Sequence, residues 1–264
     1  MASVMRYRKI SCTLTEYSAA IRLPEPSNGC SIDEDTAAEL RDCCRELQLR
    51  DELRVVTVAG SGNVFAVGRL RAPAEVASAP MPERLRWQVE MAVAGALAAL
   101  PMPTVAVLNG DAIAHGLELA LAADLRVASD TAHLGVGNMA ECGFPYDGAT
   151  QRLLRLVGTG LARDMLFTGR TLTAQEALNA GLVSRIAPAA QLDDVAAGLT
   201  AEIAAAAPIA GRYVKEAVVN SMDLTLSQGL RLEADLSVIL QSTEDRAEGL
   251  RSFEEKRAPR FGGR

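Results

Sequence analysis

A single acid stands in an apolar setting in GDAIAHGLELALAADLR (110–126): Glu118, three residues after His115, one of only two histidines in the chain. Helical spacing surrounds it with Ile113, Leu117, Leu119, Leu121 and alanines, so this helix reads as buried on nearly every side. A buried carboxylate is costly unless it is paired or protonated. Burial also raises its affinity for a proton toward neutrality, which suits a general acid or base. The competing reading is a structural ion pair with Arg126 or Arg152.

Two further stretches carry groups that could work with it. LGVGNMAECGFPYDGATQRLLRLVG (134–158) is glycine-rich and holds Asn138, Glu141, Tyr146 and Asp147. A helical turn over 138–142 would put Asn138 and Glu141 on one face, while Asp147 before a glycine also fits a plain turn. In GSGNVFAVGRL (60–70), Gly68 lets backbone approach a ligand closely. An amide there, together with one at a helix start near His115, would make an oxyanion hole. The loop lacks the GK[ST] of a phosphate loop.

The elements that must position these groups alternate strand and helix. KISCTL and SAAIRL read as an antiparallel pair around TEYS, followed by a helix capped at Ser31 with acids in its first turn. RVVTVAGSG (54–62) and PTVAVLNGD (103–111) are similar β-branched strands ending in a glycine turn, and LRVASD (125–130) is a third. This pattern predicts an α/β fold with buried, mostly parallel strands in a winding arrangement. A strand at LVSRIAP precedes a run of helices, which sets the expected division into a core over 1–196 and a C-terminal helical region over 197–264. Such a terminal helical layer packs on the core or on another subunit.

The chain has 264 residues, 49% of them hydrophobic, and a net charge of −6. That composition describes a globular protein, and its scattered basic residues argue against nucleic acid as a partner. Five cysteines, Cys142 among them, show no zinc spacing and no disulfide framework, which points to a reducing cytoplasm and no metal. The uncharged run 91–110 is cut by Pro101 and Pro103, so it reads as a helix end and a buried strand rather than a membrane span. No signal peptide is expected at the N-terminus.

Five ordered segments resemble the enoyl-CoA hydratase/isomerase (crotonase) superfamily over nearly the whole chain: FAVGRL, NGDAIAHGLELALAAD, PYDGATQRLLRLVG, TGRTLTAQEALNAGLV and EGLRSFEEKRAPRF. The resemblance implies a spiral of β-β-α turns and a C-terminal helical region used in forming a trimer or a dimer of trimers. It also implies an acyl-CoA thioester substrate, with coenzyme A as part of that substrate and no separate cofactor. By position, Glu118 becomes the principal acid/base, and the amides of Arg69 and His115 become the oxyanion hole that stabilises a thioester enolate. Gly68, Asn138, Tyr146 and Asp147 line the substrate, and Phe253 and Lys256 match a closing motif that reaches the CoA region of the same or a neighbouring subunit.

The chain departs from the pattern at informative places. Asn138 stands where hydratases carry a second Glu, so either Glu141 takes that role or Glu118 works alone with Asn138 orienting a water. Arg69 and His115 replace small residues, and Leu70 replaces an Asp. Hydration and double-bond isomerisation therefore both remain open. So do C–C cleavage, decarboxylation or thioester hydrolysis, with Arg69 holding a carboxylate and Tyr146 or Asp147 assisting, and a silent subunit that binds acyl-CoA or acyl carrier protein.

Overall fold

A computed structural model describes residues 3–27, 29–68, 74–138 and 143–264. Arg69, Leu70, Glu141 and Cys142 lie outside the described residues, as does most of the turn expected over 138–142. The first hairpin forms as expected: β2 (Ser11–Leu14) pairs antiparallel with β3 (Ser18–Arg22), setting Cys12 opposite Ile21. An unforeseen strand, β1 (Ser3–Arg6), extends it at the edge. Four parallel strands follow, β4 (Val55–Ala59), β6 (Thr104–Leu108), β8 (Leu125–Ser129) and β11 (Arg185–Ala187), in the order β1-β2-β3-β4-β6-β8-β11.

Strands β4, β6 and β8 are largely buried on both faces, which is why they lack polar alternation and why β4 and β6 are rich in β-branched residues. On β6, Ala106 and Leu108 join the main core with α1 (Glu34–Gln48), whereas Val105 and Val107 meet Leu192, Ala196 and Leu199 of α8 (Leu192–Ala204) on the opposite face. The division drawn at residue 196 thus falls inside a helix that packs on the sheet. Helix α1 is capped by Asp33, whose Oδ1 accepts from Thr36 N–H at 2.8 Å, and not by Ser31. Ser31 is held elsewhere: its Oγ accepts from Val67 N–H at 3.1 Å and so ties down the 60–68 loop.

Each long strand turns a corner into a short strand of a second sheet. These are β5 (Val64–Ala66), β7 (Asp111–Ile113) and β9 (His133–Gly135), joined at the edge by β10 (Thr171–Thr173) in the order β10-β9-β7-β5. The glycine turns seen in the sequence are those corners. A Cβ on Gly110 would sit 1.6 Å from Asn63 O, so only glycine lets the two corners touch. Asn109 latches them together, accepting from Gly60 N–H at 2.8 Å and donating to Val64 O at 3.0 Å.

After the corners come α2 (Ala74–Ser78), α3 (Met81–Met91) and α4 (Ala94–Ala98), then α5 (His115–Ala122), then α6 (Ala149–Thr168), which breaks at Gly158. Three β-β-α turns in succession give the expected spiral, with α4 an addition between the predicted helix end and strand. Past α7 (Ala174–Asn179) and α8, the chain ends in α9 (Pro208–Asn220), α10 (Leu226–Leu240) and α11 (Glu244–Glu254). Among the described residues no helix is long and apolar enough to cross a membrane. Cys12, Cys30, Cys43 and Cys44 are free thiols.

Candidate active site

Helix α5 is buried along its whole length, and Glu118 in its first turn is 0% exposed. Neither suggested arginine pairs with it: Arg126 donates to Ala123 O at 2.7 Å, and Arg152 to Asp147 O at 2.7 Å. Instead Glu118 Oε1 accepts two backbone N–H groups, from Asp147 and Ala149, each at 2.9 Å. Those amides converge because the chain enters α6 through Gly148 at φ 117°, a conformation that favours glycine. Oε2 is equally buried but has no hydrogen-bond partner among the described residues. Burial raises the proton affinity of Glu118 above that of an ordinary carboxyl, and the two amides and His115 only partly offset it.

His115 is the first residue of α5 and is 1% exposed, with Nε2 3.1 Å from Asp147 Oδ2. The same Asp147 oxygen accepts from Val93 N–H at 2.7 Å and Ala94 N–H at 2.8 Å, which caps α4. Asp147 is therefore no simple turn residue. It joins α4, α5 and the entry to α6. The first amides of a helix lack intrahelical acceptors and carry the positive end of its dipole, so the start of α5 presents donors beside Glu118. Gly68 reaches this place: a Cβ on it would lie 3.6 Å from His115 Cβ and 3.4 Å from Cys30 Sγ.

Tyr146 fills the space next to His115, its ring centroid 5.3 Å from the imidazole and 5.9 Å from Trp87. Trp87 in turn donates Nε1–H to Glu34 Oε1 at 3.0 Å. The Tyr146 hydroxyl is buried without a partner among the described residues. Burial first, and then the charges of Glu118 and Asp147, push its pKa upward and keep it protonated.

The structure thus brings together Glu118, His115, Gly68, Tyr146 and Asp147 from the residues singled out in the sequence. Asn138 is exposed, with its backbone against Gly169 at the end of α6: a Cβ on Gly169 would lie 3.1 Å from Asn138 Cα. Phe253 on α11 is 84% exposed, and Lys256 just beyond it is also exposed. Sequence reasoning missed Trp87 and the amides of residues 93, 94, 147 and 149. Backbone donors leave no residue-type signature, and an apolar tryptophan resembles any core residue.

The sequence profile of the enoyl-CoA hydratase/isomerase family matches residues 16–264. The (E)-benzylidenesuccinyl-CoA hydratase of Thauera aromatica is 31% identical over 267 residues, covering 96% of this chain and 99% of its own. A mitochondrial methylglutaconyl-CoA hydratase of Rattus norvegicus is 40% identical over 176 residues, covering 65% of this chain and 56% of its own. Among solved structures, the enoyl-CoA hydratase of Bacillus anthracis superposes with a TM-score of 0.87 at 31% identity, over 100% of this chain and 99% of that one. An enoyl-CoA hydratase of Geobacillus kaustophilus does so with a TM-score of 0.89 at 29% identity, over 100% of both chains. Profile, relatives and fold agree with the five ordered motifs, and the chain belongs to the enoyl-CoA hydratase/isomerase, or crotonase, family.

Proposed function

We propose that the protein adds water reversibly across the double bond of an enoyl-CoA thioester, with Glu118 as the acid/base. The observation that carries this reading is the asymmetry of the Glu118 carboxyl. One oxygen is fixed by two amides, while the other is buried and has no partner among the described residues. The thioester oxygen would lie between the amides of His115 and Arg69, next to Gly68. Glu118 takes a proton from water as the water oxygen bonds to the β-carbon, and the double-bond electrons move onto the thioester oxygen as an enolate. The carboxylic acid then returns that proton to the α-carbon and the carbonyl re-forms. Preorganised amides of this kind are worth on the order of a hundredfold or more in rate.

Within this proposal Glu141 is a candidate second carboxyl, Asn138 orients substrate or water from the rim, and Phe253 and Lys256 reach toward coenzyme A. CoA enters as part of the substrate, so the chemistry draws on protein groups alone. The free thiols fit a reducing cytoplasm, and a homotrimer or dimer of trimers would cover the apolar C-terminal helices. The test is incubation with crotonyl-CoA and with a 3-enoyl-CoA in deuterated water, comparing wild type with Glu118→Gln and Glu141→Gln. Hydration of crotonyl-CoA that is lost in Glu118→Gln supports the proposal. Full activity in Glu118→Gln overturns it, and turnover of the 3-enoyl-CoA alone would assign isomerisation instead.

A further inference from the structure

Two oxygens in the site are buried and have no hydrogen-bond partner among the described residues, Glu118 Oε2 and the Tyr146 hydroxyl. Buried polar atoms are nearly always paired, and two exceptions in one cluster mark a place completed by something else. They belong to one cluster by construction: the amide of Asp147, the residue after Tyr146, donates to Glu118 Oε1, and the Tyr146 ring lies against His115, one helical turn before Glu118. The two atoms also ask for opposite partners. An ionised Glu118 Oε2 only accepts, whereas a phenol that keeps its proton offers a donor.

A hydroxyl or a water molecule supplies both at once, giving a proton to Glu118 and accepting one from Tyr146. A carboxylate would satisfy the phenol but would meet Glu118 and Asp147, so the acidic surroundings disfavour it. A hydrocarbon would satisfy neither. From this complementarity we propose that Tyr146 is the second anchor of the oxygen added or removed in the reaction, holding the attacking water, and later the 3-hydroxyl of the product, against Glu118. This rests on the acyl-CoA reading above, and it supplies a partner opposite Glu118 in a chain that carries Asn138 where hydratases carry a second Glu. Tyr146 keeps its own proton throughout, so the proton balance of the reaction stays with water, Glu118 and the α-carbon. The hydrogen bond it gives positions the water oxygen at the β-carbon.

Tyr146→Phe removes only the hydroxyl and keeps the ring between His115 and Trp87, so the fold should survive. The test compares binding of 3-hydroxybutyryl-CoA with that of butyryl-CoA, hydration of crotonyl-CoA, and exchange of the α-proton of butyryl-CoA in deuterated water. Loss of one neutral hydrogen bond should weaken 3-hydroxybutyryl-CoA about 5- to 10-fold in Tyr146→Phe while butyryl-CoA binds unchanged. Hydration should fall by about tenfold or more, with α-proton exchange, which needs no added water, within about twofold of wild type. If Tyr146→Phe changes both ligands equally or neither, a resident structural water or simple packing explains the unpaired hydroxyl, and the inference is wrong while the acyl-CoA reading stands. If wild type binds neither thioester, both fall together.

Discussion

At the scale of single residues, Glu118 is defined by what surrounds it. Burial raises its pKa, so the folded protein holds that proton more tightly than the unfolded chain does. Its contribution to stability is therefore fully present below the ordinary carboxylate range and is lost as pH rises through the raised value. Gln is neutral throughout and escapes this loss. The melting temperature of Glu118→Gln relative to wild type should rise steadily from pH 4 to pH 8, while activity falls by about a hundredfold or more. A pH-independent difference in melting temperature would mean that Glu118 titrates normally. Asp147 plays the complementary part, accepting two amides of α4 and meeting His115. Asp147→Ala leaves those buried donors unpaired and should destabilise the fold by about 3 kcal/mol in denaturant unfolding, with Asp147→Asn, which keeps an acceptor oxygen, clearly milder. Glu118 was legible in the sequence because a lone acid in an apolar helix is conspicuous. The Asp147 cap was not, because its accepting oxygen sits 54 and 53 positions from the Val93 and Ala94 amides that donate to it, and backbone donors leave no residue-type signature.

At the scale of elements, the start of α5 is held in an unusual shape. Ala114, the residue before His115, has φ 57° and ψ −118°, a region that a residue with a Cβ enters only at a cost. The corner is locked from both sides: Ala114 N–H donates to Gly135 O at 2.9 Å, and a Cβ on Gly116 would lie 1.9 Å from Ala66 O. Ala114→Gly should therefore stabilise the protein by about 1 kcal/mol with activity retained, measured by thermal or denaturant unfolding. Gly116→Ala should disrupt the α5–β5 contact and with it the site, seen as lost thioester binding. The same corner shows why only part of the fold could be read in advance. Strands β4, β6 and β8 are five residues each, β4 and β6 rich in β-branched residues, and they showed in the sequence. Strands β5, β7, β9 and β10 are three residues each, too short for any periodicity, so a second sheet was invisible and its corners read only as glycine turns. The Ser31 cap failed for a similar reason, since Asp33 is as good a cap and a long-range contact with Val67 claimed the serine.

At the scale of the molecule, burial is uneven. The spiral encloses its strands, but α9 and α10 bury only Pro208 and Leu236 while exposing Val214, Val218, Leu226, Leu230 and Val238. Large apolar side chains exposed together on neighbouring helices are what an interaction face presents, and the homotrimer proposed above would cover them. Val218, Leu226 and Leu230 line one groove between α9 and α10, with Glu233 at its edge. Leu230 sits in the middle of α10 at 57% exposure, so replacing it should leave the isolated chain folded. Leu230→Asp places a charge where a subunit contact would have to desolvate it, and association should weaken by about tenfold or more. Light scattering after size exclusion should give wild type at three or six times the chain mass, with Leu230→Asp shifting toward one chain mass upon dilution. A wild type that runs as a single chain would remove the trimer from the proposal and leave the apolar helices to another partner. Phe253, exposed on α11, makes the result matter for catalysis too. If its place is at a neighbouring subunit's CoA site, the dissociated variant should bind acyl-CoA more weakly even though Glu118 and His115 are buried inside the spiral core.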